Sequence, residues 1–157
     1  MTIYDYIENI TGYSPSKYVS DIKNELENDK TIPEIQTKQW EKGQDSNGNI
    51  VGTYSEMTEI LSGGRKQAGT PYTFYDTGDL YKQTKAIINE KDNDLTFIVD
   101  SDSPHKKDLF DFFDKNASPV TSFDPEDLFG IQKENMDEVV DVVQDKCSSL
   151  LIKNLKI

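Results

Sequence analysis

The sequence predicts an α+β fold, a small antiparallel sheet of hairpins packed with N-terminal and C-terminal helices. Three observations predict it. Apolar residues recur at helical spacing near both ends, in Tyr18, Val19, Ile22 and Leu26 and again from Met136 to Leu151. Between them, Thr84–Asn89 and Leu95–Val99 are rich in Val, Ile, Phe and Thr and flank a polar turn at Glu90–Asp94. Finally, Ser14-Pro15, Ser103-Pro104 and Asp124-Pro125 each pair a capping side chain with a proline suited to a first helical turn. The chain reads as a single domain over 1–157: an N-terminal helical segment at 1–30, a β-rich middle at 31–100 and C-terminal helices at 101–157.

Taken in order, Ile3, Tyr6, Ile7 and Ile10 form a first helical stripe that Gly12 interrupts. Ser14-Pro15 opens a second helix, running to about Asn28. Pro33 argues against continuing it, so Ile35–Trp40 is expected as a strand leading into a tip at Asp45–Asn49. Ile50, Val51 and Tyr54 would return as its partner. Met57, Ile60 and Leu61 suggest a short helix closed by Gly63-Gly64. A glycine-rich loop, Ser62–Pro71, and a turn at Asp76–Leu80 follow. Leu80, Tyr81, Thr84, Ile87 and Ile88 also fit helical spacing, which leaves the start of the first hairpin strand open. Ser103-Pro104 begins a helix through Lys115 with Leu109, Phe110 and Phe113 inward. Asp124-Pro125 begins a short turn, Glu126–Phe129, stopped by Gly130. The last helix carries Met136, Val139, Val140, Val143, Cys147, Leu150 and Leu151 on one stripe.

Composition narrows the function. A chain of 157 residues with 7 Phe and 8 Tyr can bury a core without covalent staples. A net charge of −12 disfavours gripping nucleic acid by its phosphates; it fits a solvated surface or docking on a basic partner. The single cysteine, Cys147, cannot form an internal disulfide, and its place in the apolar stripe suits a small buried hydrophobe better than a nucleophile. The N-terminus lacks the pattern of a signal peptide, and no stretch reaches the roughly 18 apolar residues of a membrane span. A protein made in a cytosol, without membrane contact, is expected.

No motif brings catalytic chemistry with it. Asp45, Asn47, Asn49 and Glu56 are spaced like calcium-loop ligands, but the sixth position is Ile50 where that loop needs glycine. Asn47-Gly48 between apolar flanks reads instead as a hairpin tip. The single histidine, His105, falls in the first turn of a polar helix, and no second histidine or cysteine pair completes a zinc site. Asp76 and Asp79 could pair as hydrolytic carboxylates, though Asp-Thr-Gly-Asp is equally a solvated turn. An aspartic-protease triplet would need apolar strands on both sides, and Tyr75 and Asp79 stand there instead. Ser62–Lys66 lacks the glycine spacing of a phosphate loop. It reads first as a flexible loop; the other reading is a contact arm, since its two cations, Arg65 and Lys66, stand out on an acidic chain. No catalytic residue, cofactor or metal is therefore expected.

The order of these fragments carries a resemblance. Gln39-Trp40 and Lys42-Gly43-Gln44-Asp45-Ser46-x-Gly48 run into Gly52-Thr53-Tyr54-Ser55-x-x-Thr58, a basic glycine loop, and Tyr72-Thr73-Phe74-x-Asp76-Thr77-Gly78-Asp79-Leu80. Asp127-Leu128-Phe129-Gly130-Ile131-x-x-Glu134-Asn135 follows late in the chain. Over residues 35–135 this resembles small virion proteins of tailed bacteriophages, particularly those infecting Bacteroidetes. More distantly it is similar to head–tail connector and tail-completion proteins, in which Asp-Thr-Gly-x-Leu precedes a strand; Phe74 and Tyr75 depart from that pattern. The resemblance implies a non-enzymatic neck or tail subunit in the virion, made in the host cytoplasm. It also implies a homo-oligomeric ring that docks on the portal or neighbouring neck proteins and lets DNA pass without specific binding. Arg65, Lys66, Asp76 and Gly78, with the basic loop and the terminal helix, are the expected assembly contacts. A phage-encoded binding protein or assembly factor that does not stay in the virion is the alternative.

Overall fold

The computed structural model describes residues 12, 14–91, 94–116 and 124–155. The stripe at 3–10 lies outside them, as does the centre of the turn at 92–93.

Helix α1, Pro15–Glu27, begins as its sequence dictates. The Ser14 side chain accepts the Lys17 amide at 3.2 Å, and Pro15 occupies the first helical position. Ile22 and Leu26 are buried, with Tyr18 packed beside them.

Helix α2, Thr31–Glu41, replaces the strand expected over Ile35–Trp40. Pro33 is the third residue of this helix, where its missing N–H costs nothing because the first turn's amides have no intrahelical acceptor. The Asp29 carboxylate bonds one of those orphans, the Thr31 amide, at 2.7 Å. Ile32, Ile35, Gln36, Gln39 and Trp40 are all buried, at steps of three and four.

The partner strand expected at Ile50–Tyr54 is also absent. The chain there makes only isolated bridges, Gln44 to Ile50 and Thr53 to Pro71. The hairpin tip itself holds. Gly48 adopts φ +83° and its amide bonds the Asp45 carbonyl at 3.1 Å.

Helix α3, Glu56–Leu61, follows, capped by the Ser55 hydroxyl on the Thr58 amide and ended by Gly63 and Gly64 at positive φ. Helix α4, Asp79–Lys82, settles the question left open around Leu80, since it ends before strand β1 begins.

Strands β1, Thr84–Lys91, and β2, Asp94–Ser101, pair antiparallel with Ala86 opposite Val99 and Ile88 opposite Phe97. One face buries Thr84, Ala86, Ile88 and Val99, while Ile98 points to the other. Helix α5, His105–Asn116, a 3-10 turn at Pro125–Leu128, a second at Lys133–Asn135 and helix α6, Met136–Leu155, complete the order. The α+β class stands, with one hairpin as its sheet among the described residues.

Two cores form. In the first, Ile22, Leu26, Ile32 and Ile35 of α1 and α2 meet Ile88 and Val99 of the hairpin and Val139 and Leu150 of α6. A lone hairpin is marginal in water, and this helical cover supplies its stability. Cys147 packs at the margin of this core, as the sequence suggested. The second core centres on Trp40, Leu80 and Leu128, with Phe74, Tyr81, Leu109, Phe110 and Phe129 around them.

A buried polar seam joins α2 to the extended segment 128–132. Gln36 accepts from the Gly130 amide at 2.7 Å and donates to the Leu128 carbonyl at 3.3 Å. Gln39 accepts from the Gln132 amide at 3.0 Å and donates to the Gly130 carbonyl at 2.9 Å. Trp40 adds a bond from its indole N–H to the Leu128 carbonyl at 2.9 Å. The two glutamine amides thus act as a strand would, satisfying a backbone that lacks a ladder partner.

Candidate docking groove

The groove grows out of the segment 52–76 folding over helix α5. Gly52 leaves room for the Tyr72 ring, whose Cε2 would lie 2.5 Å from any Cβ placed there. Tyr72 meets Tyr54 edge-on at 4.9 Å and Phe113 at 6.3 Å. Phe74 reaches both Phe113 and Trp40, at 6.3 and 6.4 Å between centroids. To do so its backbone takes φ +56°, the one non-glycine residue at positive φ among those described. Such a conformation costs on the order of 1 kcal/mol, which the aromatic packing offsets. Burial pushes the Tyr81 hydroxyl well above its ordinary pKa, with the Glu41 carboxylate adding to the effect, so it stays a neutral donor to the Thr73 carbonyl.

The result is an open groove of about 360 Å³ with Tyr54, Tyr72, Phe74, Leu109 and Phe113 in its walls. Lys66, Asp76, His105 and Asp108 line it as well. A neighbouring hollow of about 380 Å³ shares Tyr54, Lys66 and Asp76 and adds Arg65 and Tyr75.

The loop carrying the two cations is braced by hydrogen bonds. The Glu59 carboxylate accepts the Ala68 amide at 2.9 Å, the Ser62 hydroxyl accepts the Lys66 amide at 3.0 Å, and Gly69 and Thr70 bond to the Tyr54 backbone. This brings Lys66 to Asp76 at 3.6 Å and sets its ammonium 5.6 Å from the Tyr54 ring centre. Arg65 turns back to the Ser62 carbonyl at 3.1 Å. Three of the four candidate contacts, Arg65, Lys66 and Asp76, therefore come together. Gly78 has a different place: at φ +82° it precedes α4 and packs against the Tyr75 ring.

The remaining candidates are equally explicit. Asp79 accepts the Thr77 hydroxyl at 2.8 Å and lies 3.7 Å from His105, whereas Asp76 faces Lys66, so the two carboxylates serve different partners. His105 also stands 3.8 Å from Asp108 and is half exposed. The Asp45 carboxylate is buried and takes the Asn47 and Asn49 amides at 2.9 and 2.8 Å, so its oxygens close the turn. Among the described residues, no group of three or more His, Cys, Asp or Glu could hold a metal ion.

The aromatic walls were not foreseen. Tyr72 and Phe74 alternate in sequence, but only the fold shows that they face Phe113, about forty residues away. Neither a family model, a curated protein nor a solved structure matches the chain. Segments 40–46, 74–81 and 127–129, distant in sequence, meet in space. Trp40 packs on Phe74, Tyr81 and Phe129, and the Ser46 amide bonds the Asp127 carbonyl at 2.8 Å. Among the described residues, no helix is long and apolar enough to cross a membrane.

Proposed function

We propose that this chain is a non-catalytic structural subunit of a tailed-phage virion, in which copies close into a ring between portal and tail. The observation that carries the reading is the outer face of α3. Met57, Ile60 and Leu61 stand 63%, 73% and 80% exposed beside the basic loop, and such apolar area is stabilised by burial against a partner. A closed ring needs two different complementary faces on each subunit. The outer side of α6, with Val140, Leu151 and Ile152 exposed, supplies a second. The net charge of −12 suits a wall past which DNA slides without sticking.

Mass spectrometry of purified particles tests the reading. Recovery of this chain in multiple copies per particle is expected, and an Ile60→Ser, Leu61→Ser variant should fold yet be incorporated poorly. Presence in the lysate with absence from particles would sink the virion reading and leave an assembly factor or other binding protein.

A further inference from the structure

The groove carries its own cation. Lys66 sits against the Tyr54 ring and the Asp76 carboxylate, the combination that recognises cationic side chains elsewhere in proteins. Two carboxylates, Asp76 and Asp108, line the groove against this one lysine, and Asp79 stands 3.7 Å from the His105 ring at its edge. The Tyr54 ring already presents its face to the Lys66 ammonium, and the negative potential of that face favours cations over anions. Lys66 is held there by a 3.6 Å pairing with an Asp76 carboxylate that is itself mostly exposed, a contact that a competing cation can reach from solvent.

We propose that the groove is a docking site for a basic peptide segment of a partner protein, whose arginine replaces Lys66 between the Tyr54 ring and the Asp76 carboxylate. A guanidinium is the better occupant. It is planar, stacks on aromatic rings and pairs with a carboxylate through two parallel bonds, where an ammonium offers a point charge. Asp108 then meets a second cation of the segment, and the chain's net charge of −12 draws such a segment in. In this scheme Lys66 is a placeholder that keeps the groove closed to weak competitors. Anionic partners, nucleic acid included, are repelled by the same carboxylates. The inference deepens the assembly reading by naming the partner's chemistry, but its test uses the isolated chain. A chain absent from virions can therefore still pass, and a virion subunit can fail.

The test is an NMR titration of the full chain with Nα-acetyl-arginine N-methylamide, with the norleucine and glutamate analogues as controls. Saturable shifts at the Tyr54, Asp76 and Leu109 amides are expected with arginine, with norleucine weaker by about two- to fivefold, the worth of one exposed cation–π contact. The Asp76→Asn, Asp108→Asn double variant should weaken arginine binding by a similar factor, and Lys66→Ala should tighten it. The spectra themselves report whether each variant is folded. Equal binding of norleucine and arginine overturns the proposal, because the groove is then merely apolar. So does the absence of saturable binding to Lys66→Ala, or weaker binding to it, which would make Lys66 part of the site's wall.

Discussion

Single residues show how close backbones approach in this chain. A Cβ at Gly43 would lie 2.4 Å from the Pro71 Cβ and 3.0 Å from the Tyr72 carbonyl, at φ +71°. Gly43→Ala should therefore cost about 2–4 kcal/mol in denaturant unfolding, combining overpacking with a left-handed backbone. Gly63→Ala meets open space at φ +64° and should cost only about 1 kcal/mol. Asp29 is held ionised by its neighbours. Burial pushes its carboxyl up, but the Lys146 ammonium at 2.8 Å and the bonds from Thr31 outweigh it and hold its pKa below the ordinary value. The same bond to Asp29 raises Lys146. A depressed carboxyl stabilises above its unfolded pKa of about 3.9 and ceases to as pH falls through the lower folded value. A raised lysine stabilises below about 10.4 and ceases to as pH rises through its higher folded value. Asp29→Asn should thus cost about 1 kcal/mol at neutral pH, and the difference from the native chain should shrink as pH falls into the acid range below the ordinary carboxylate value. Unfolding midpoints measured at both pH values check this.

At the scale of elements, the polar seam between α2 and 128–132 is the feature most sensitive to change. Gln39→Ala would leave the Gly130 carbonyl, the Gln132 amide and the Asn135 side-chain amide without their buried partner. A loss of about 2–4 kcal/mol in unfolding free energy is expected, read from the shift in urea midpoint at constant slope. The seam also explains what the sequence hid. Ile32, Ile35, Gln36, Gln39 and Trp40 have helical spacing, but two buried glutamines break the apolar stripe that announces a helix. Pro33 added a stop signal that its place in the first turn cancels. Where local chemistry decides, the sequence is legible: Ser14-Pro15, the Thr84–Ser101 hairpin, Ser103-Pro104 and helix α6 all form within a few residues of expectation, although Val140 and Leu151, expected on the inner stripe of α6, face outward while Val139 and Leu150 take the buried positions beside them. The site was half legible for the same reason. Arg65 and Lys66 stood out by charge, but the aromatic walls depend on contacts between Tyr72, Phe74 and Phe113 that no local pattern encodes.

At the scale of the whole molecule, charge and exposed apolar surface act together. A net charge of −12 means self-repulsion, which salt screens as the Debye length falls from about 30 Å at 0.01 M to about 3 Å at 1 M. The thermal midpoint of the isolated chain should rise over that range; a fall would mean that pairs such as Lys146–Asp29 outweigh the repulsion. The same repulsion sets a requirement on the proposed assembly, since acidic copies could share a ring only through apolar faces or compensating cations. The exposed apolar faces of α3 and α6 would meet that requirement. The most direct test of the account is an electron-microscopy map of the intact particle. It should place copies of this chain in a closed ring between portal and tail, with Met57, Ile60 and Leu61 buried against a neighbour. A neck whose density is fully explained by other chains would contradict it.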